Sequence, residues 1–186
     1  MRIRNALIPL ALAAATVGAQ EAQAQSAAVP TAATAQAQAS IEGVMQELYA
    51  AVTREPGKPF AWERLRRITL PYTVMLPQAR QSGGQLKPLS VDQFISNIDE
   101  GWKPVIGTAR DRGFFERQTN LVMHEYGDVA IAFTTYEKGP WEPRAIQGRG
   151  INAVQLVRRE GLWYILSIGW DEENSAGPLP SIYRGR

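Results

Sequence analysis

The chain has 186 residues, 45% of them hydrophobic, which suits one globular domain with a real core. Its 20 basic and 18 acidic residues leave a formal charge of +2, too weak a field for a nucleic-acid binder. The absence of cysteine excludes disulfides, thiolate metal sites and a lipid-modified cysteine anchor. One histidine, His124, would leave any zinc site dependent on carboxylates, so neither a metal nor a cofactor is expected.

Residues 1–24 read as an export signal, with Arg2 and Arg4 before an apolar run, Ala6–Val17, and Ala22-Gln23-Ala24 as a small-x-small cleavage site. The run is too short to cross a bilayer, which takes roughly 20 residues. Cleavage is expected after Ala24, with a site near Ala19 as the alternative. The mature protein would be periplasmic or secreted, with no membrane attachment. Gln25–Ala39 is built of Ala, Gln, Thr and Ser with one proline, and is expected to be a flexible leader.

A single domain is expected over residues 40–186. Ser40 can cap a helix whose apolar positions, Ile41, Val44, Met45, Leu48, Tyr49 and Val52, follow one face. Pro59 opens a second, shorter helix through about Arg67, with Phe60, Trp62 and Leu65 as contacts. Tyr72–Leu76, between Pro71 and Pro77, reads as a short edge strand. Ser90 and Gln93 form a capping box for a third helix with the stripe Val91, Phe94, Ile95, Ile98 and Trp102. Two hairpins follow: Phe114–Glu125 with Val129–Lys138, and Ile151–Val157 with Leu162–Trp170. The tail from Asp171 to Arg186 reads as irregular. The layout is α+β: three N-terminal helices on a curved antiparallel sheet of about four long strands plus one short one. Such a sheet wrapped round helices leaves a cavity.

Several groups could carry chemistry. His124 and Glu125 point to opposite faces of a period-2 strand, so they are poor partners for general-base work. Asp171-Glu172-Glu173 reads as a solvated strand end that could also hold a cation. Asn152 and Gln155 need partners if buried; either could orient a ligand or tie down a loop. Gly148-Arg149-Gly150-Ile151-Asn152-Ala153 spells a dinucleotide-binding pattern, but a strand follows where that motif needs a helix. Its glycines are read instead as permitting close approach in the sheet. In the last strand, Trp163, Ile165 and Ser167 would share one face, and Tyr164, Leu166, Ile168 and Trp170 the other. The arginine clusters (Arg64, Arg66 and Arg67; Arg158 and Arg159) read as solvated faces.

The order of elements resembles the nuclear transport factor 2-like superfamily, a cystatin-like α+β cone that includes SnoaL-like polyketide cyclases, ketosteroid isomerase and scytalone dehydratase. The stretches EYGDVAIAFTTYE (125–137), RGINAVQLVRREGLWYILSIGWDEE (149–173) and GPLPSIY (177–183) look closest to an exported bacterial branch of it. The catalytic pattern of ketosteroid isomerase carries over poorly. Leu76 stands where its general-base aspartate would precede Pro77, and Ile151–Val157 holds no carboxylic acid; Tyr49 alone matches, as a first-helix tyrosine. Scytalone dehydratase relies on two histidines, and this chain has one. The resemblance also implies a homodimer through the outer sheet face, unless the tail covers it.

The function expected is the binding of a small, mostly apolar molecule in the cone cavity, with Tyr49, His124, Tyr136 and Asn152 as its polar contacts. The alternatives are a lyase or isomerase using His124 or Glu137, and a sheet-mediated interaction module.

Overall fold

The computed structural model describes residues 32–78 and 85–184. The expected signal and the first residues of the expected leader lie outside them. Helices α1 (Ala32–Gln38), α2 (Ile41–Ala51) and α3 (Trp62–Ile68) lead into strand β1 (Thr69–Leu76). Helix α4 (Val91–Trp102) precedes β2 (Phe115–Tyr126), β3 (Val129–Gly139), β4 (Gly148–Arg159) and β5 (Leu162–Glu172). A single helical turn, α5 (Glu173–Ala176), and a 3-10 turn at Ser181–Tyr183 follow.

The helices start where their caps are written. The Ser40 side chain accepts a hydrogen bond from the Gly43 amide, and α2 buries Ile41, Val44, Met45, Leu48 and Tyr49. At α4 both halves of the Ser90–Gln93 capping box are made. Val91 and Ile95 are buried, while Phe94, Ile98 and Trp102 pack against the core from its margin. Helix α3 begins at Trp62, later than Pro59 suggests, because Phe60 turns inward to stack on Trp62 at 4.7 Å. The leader expectation needs correction over its last residues. Ala32–Gln38 is helical, as its alanines favour, and Gln38 is fully buried with its amide donating to the Trp163 carbonyl at 3.2 Å.

Both expected hairpins form, the second through Glu160 and Gly161 at φ of 54° and 80°. Such mirror-image turns match the twist of the flanking strands. The sheet runs β1-β5-β4-β3-β2, so the short front strand is indeed at an edge. It pairs parallel to β5, however, and the sheet is mixed rather than wholly antiparallel. The chain enters β1 directly from α3 and reaches β5 only after α4, β2, β3 and β4, a connection long enough for parallel pairing. Pro71 is tolerated there because an edge strand need not donate on both sides.

Bulges set the curvature and decide which residues face the helices. The register slips between Gln118 and Asn120 in β2, and between Gln155 and Leu156 against β5. Ser167 pairs with Gln155 and Ile165 with Leu156, so Leu166 is the extra residue. The expected faces of β5 therefore change phase midway. Trp163 and Ile165 point inward as a pair, and beyond the bulge Ile168, Trp170 and Glu172 take over that face. Ser167 turns out to bond Gln155 at 2.8 Å. The core lies between this inner face (Ala130, Ala132, Val154, Leu156, Ile165, Ile168) and α2, α3 and α4.

Candidate functional site

The inner face becomes polar towards the ends of β2, β3 and β5. Register places Glu116 opposite Lys138, Tyr136 opposite Gly150, Asn152 opposite both Thr134 and Trp170, and Glu172 opposite Gly150. Of these, Glu116, Tyr136, Lys138, Asn152, Trp170 and Glu172 border a cavity of about 80 Å³. Leu48 and Val52 of α2, Leu65 of α3, Met75 of β1, Phe94 of α4, and Ile168 and Trp170 of β5 supply its apolar wall. The space would hold a few waters or a ligand of a few heavy atoms.

One hydrogen-bonded chain crosses the site. Asn152 donates through Nδ2 to the Tyr49 hydroxyl at 3.2 Å, and Tyr49 shares a 2.9 Å bond with Thr134 Oγ1. The Asn152 amide also stands near the Glu116 carboxyl and favours its charged form. Lys138 and Glu172 form an ion pair beside them. Burial pushes the Glu116 carboxyl up to about 7; Lys138 and the Asn152 amide pull the other way, and Glu172 adds to the rise. Burial likewise raises both tyrosine hydroxyls, Tyr49 and Tyr136, so each stays a neutral phenol. Tyr136 is 2% exposed, and its hydroxyl has no hydrogen-bond partner among the described residues although it borders the cavity.

Of the residues singled out by sequence, Tyr49, Tyr136 and Asn152 come together here. His124 and Glu137 do not. His124 pairs with Ile131 on the outer face, where it is exposed beside a surface groove with Gln155 and Val157. Glu137 also faces outward; the Arg117 guanidinium, and then that of Arg149, holds its carboxyl below the usual range. The sheet separates both from the cavity. Glu116 and Lys138 were not singled out by sequence, and Glu172 was read as part of a solvated end. The available signal was the alternation in β3, where Thr134, Tyr136 and Lys138 continue the inner face begun by Ala130 and Ala132.

A second buried charge pair lies outside the cavity. Arg54 is ion-paired with Asp111, and both side chains are almost fully enclosed. Asp111 also accepts the backbone N–H groups of Gly57, Gly107 and Gly113 at 2.8, 3.0 and 3.0 Å. Arg54 packs over the Trp102 ring at 4.6 Å. Each polar group points into a loop junction, so the pair fastens the turn after α2 to the strand that begins at Phe115.

The chain has the same fold as several solved proteins. A protein of unknown function with a cystatin-like fold from Nostoc punctiforme PCC 73102 is 11% identical, with a TM-score of 0.55 over 73% of this chain and 90% of its own. An NTF2-like protein of unknown function from Pseudomonas putida KT2440 is 16% identical, with a TM-score of 0.54 over 73% and 86%. LinA is 13% identical, with a TM-score of 0.55 over 81% and 95%. No family model matches the sequence. No curated protein matches it either. The fold is the NTF2-like, cystatin-like cone.

Proposed function

We propose that the cone cavity binds a small, mostly apolar molecule whose one polar group meets Glu116 and Tyr136. The observation that carries this reading is Tyr136, which lines the polar end of an apolar cavity and whose hydroxyl has no hydrogen-bond partner among the described residues. A polar group with a free hydrogen-bonding position at the wall of an apolar cavity suits a ligand with one polar atom. The test is an NMR titration of the purified protein with isobutanol. Shifts should concentrate at Trp170, Phe94 and Met75, and Val52→Phe, which fills the cavity from α2, should abolish them. Shifts elsewhere, or unchanged binding by the filled variant, would refute the reading.

The site also favours a second reading, proton transfer of the lyase or isomerase kind. A carboxyl that titrates near neutrality at the wall of a cavity is suited to act as a general base. This role passes from His124 and Glu137, which face outward, to Glu116. In heavy water the protein should exchange the α-hydrogens of butanone, and Glu116→Gln should not; equal exchange by both would remove catalysis from Glu116.

We propose further that the protein is exported and forms a homodimer through the outer sheet face. Support for export is the signal pattern in residues 1–24, and N-terminal sequencing of the periplasmic product would test cleavage after Ala24. Support for the dimer is the apolar group Tyr126, Val129 and Ile131, exposed at 88%, 56% and 46%. Among the described residues the tail covers the middle of that face, where the Tyr183 carbonyl accepts from Thr135 Oγ1 at 2.6 Å and its ring packs on Phe133. Sedimentation of Val129→Asp should show a monomer where the parent shows a dimer; a monomeric parent would end this proposal.

A further inference from the structure

The glycines of the Gly148-Arg149-Gly150 stretch make the room in which the cavity's charges meet. A Cβ on Gly150 would lie 2.5 Å from Tyr136 Oη, and one on Gly148 would lie 3.1 Å from Lys138 Cε and 3.5 Å from Glu172 Oε2. Tyr136, Lys138 and Glu172 therefore lean over bare β4 backbone. Glu116 joins them from β2, opposite Lys138.

The charges at this end do not balance. Among the described residues that line the cavity, two carboxyl groups, Glu116 and Glu172, face one ammonium, Lys138, which is ion-paired to Glu172. Glu116 must then either keep a proton or meet a second cation, since an uncompensated carboxylate withdrawn from water is costly. The other groups around it, Asn152, Tyr49 and Tyr136, are neutral. Across the cavity stand two aromatic rings, Phe94 and Trp170, packed edge to face at 5.7 Å. A cation held near such rings is stabilised by their π faces.

Resting on the cavity-binding reading above, we propose that the ligand is a small alkylamine whose ammonium takes the place of the Glu116 proton. Its N–H groups would donate to the Glu116 carboxylate and to the unpartnered Tyr136 oxygen, while its alkyl part lies against Leu48, Ile168 and the two rings. Binding releases the Glu116 proton to solvent, so protons and charge balance: one cation enters and one proton leaves. Affinity should therefore rise with pH through the Glu116 midpoint. Lys138, Glu172 and the two tyrosines face the same carboxyl, and none of them needs to change protonation for this exchange.

The test compares isobutylamine with isobutanol, a neutral molecule of like shape, and with isobutyrate, an anion. NMR titrations of the purified protein at about pH 6 and pH 8 follow the Trp170 indole and the 13C-labelled Glu116 carboxyl. At the higher pH isobutylamine should bind at least tenfold tighter than isobutanol, and it should lower the Glu116 midpoint. Glu116→Gln should erase the preference, and Tyr136→Phe should weaken amine binding severalfold. If isobutanol or isobutyrate binds as well as the amine, or if the preference survives in Glu116→Gln, the amine assignment fails while the cavity reading stands. If none of the three shifts the Trp170 signal, both fail together.

Discussion

Replacing Glu116 by glutamine should stabilise the protein above neutral pH and leave its stability unchanged in acid. The carboxyl titrates at 4.5 when solvated and at about 7 in the fold, chiefly because burial disfavours its charge. Below the lower value both folded and unfolded chains hold the proton, and pH has no effect through this group. Between the two values the unfolded chain ionises first, so stability falls as pH rises. Above about 7 the whole difference stands, roughly 3 kcal/mol at about 1.36 kcal/mol per pH unit. Glu116 is only half-buried and Lys138 is near, so about 1–3 kcal/mol is the working range. For a domain of this size that is about 3–10 °C in melting temperature. Glutamine keeps the shape but carries no charge. Thermal melts of parent and Glu116→Gln from about pH 4 to pH 8.5 should converge in acid and separate steadily above pH 5. Parallel curves would show that the carboxyl titrates as if solvated, and both proton transfer and the exchange of a proton for an amine would lose their basis.

Ile95 is 5% exposed at the centre of the α4 stripe, and Ile95→Asp would set an unpaired charge into the core; circular dichroism should show a domain unfolded or nearly so, and an unchanged melting temperature would remove α4 from the core. Asp111→Asn leaves Arg54 buried without its counter-charge and should cost about 3–5 kcal/mol in denaturant unfolding. The Arg54 guanidinium holds the Asp111 carboxyl well below the usual carboxylate range, so its contribution is present above that range and is lost as pH falls through the folded value. Asp111→Asn should accordingly flatten the acid side of the stability curve, and an unaltered acid limb would refute the role. Gly150→Ala drives a methyl group against the Asp171 carbonyl of β5 and to 2.5 Å from Tyr136 Oη and should cost about 1–3 kcal/mol in urea unfolding, whereas full stability would mean that neither β5 nor Tyr136 closes over Gly150.

What the sequence made legible was local. Ser40 and Ser90 announce their helices because the capping oxygen and the amide it meets lie within one turn. The hairpins are legible for the same reason, since Glu160-Gly161 joins strands that are neighbours in the chain. The parallel pairing of β1 with β5 joins residues about ninety positions apart and leaves no mark in either strand. The single extra residue Leu166 has a wider effect than its size suggests. Strict alternation beyond it assigns Trp170 and Glu172 to faces opposite those of Trp163 and Ile165, whereas the bulge brings all four to the inner face. That slip explains why the candidate site was legible only in part. Tyr49, Tyr136 and Asn152 stood out as polar groups set in apolar runs, a pattern that needs no register to be seen. Glu116, Lys138 and Glu172 lie at strand ends among other charges, where a solvated face is the ordinary interpretation. Each reads differently only when β2, β3 and β5 are placed side by side and the bare backbone at Gly148 and Gly150 is seen between them. A charge at a strand end is solvated or enclosed according to what its neighbouring strands put opposite it, and here two glycines and an aromatic pair enclose it.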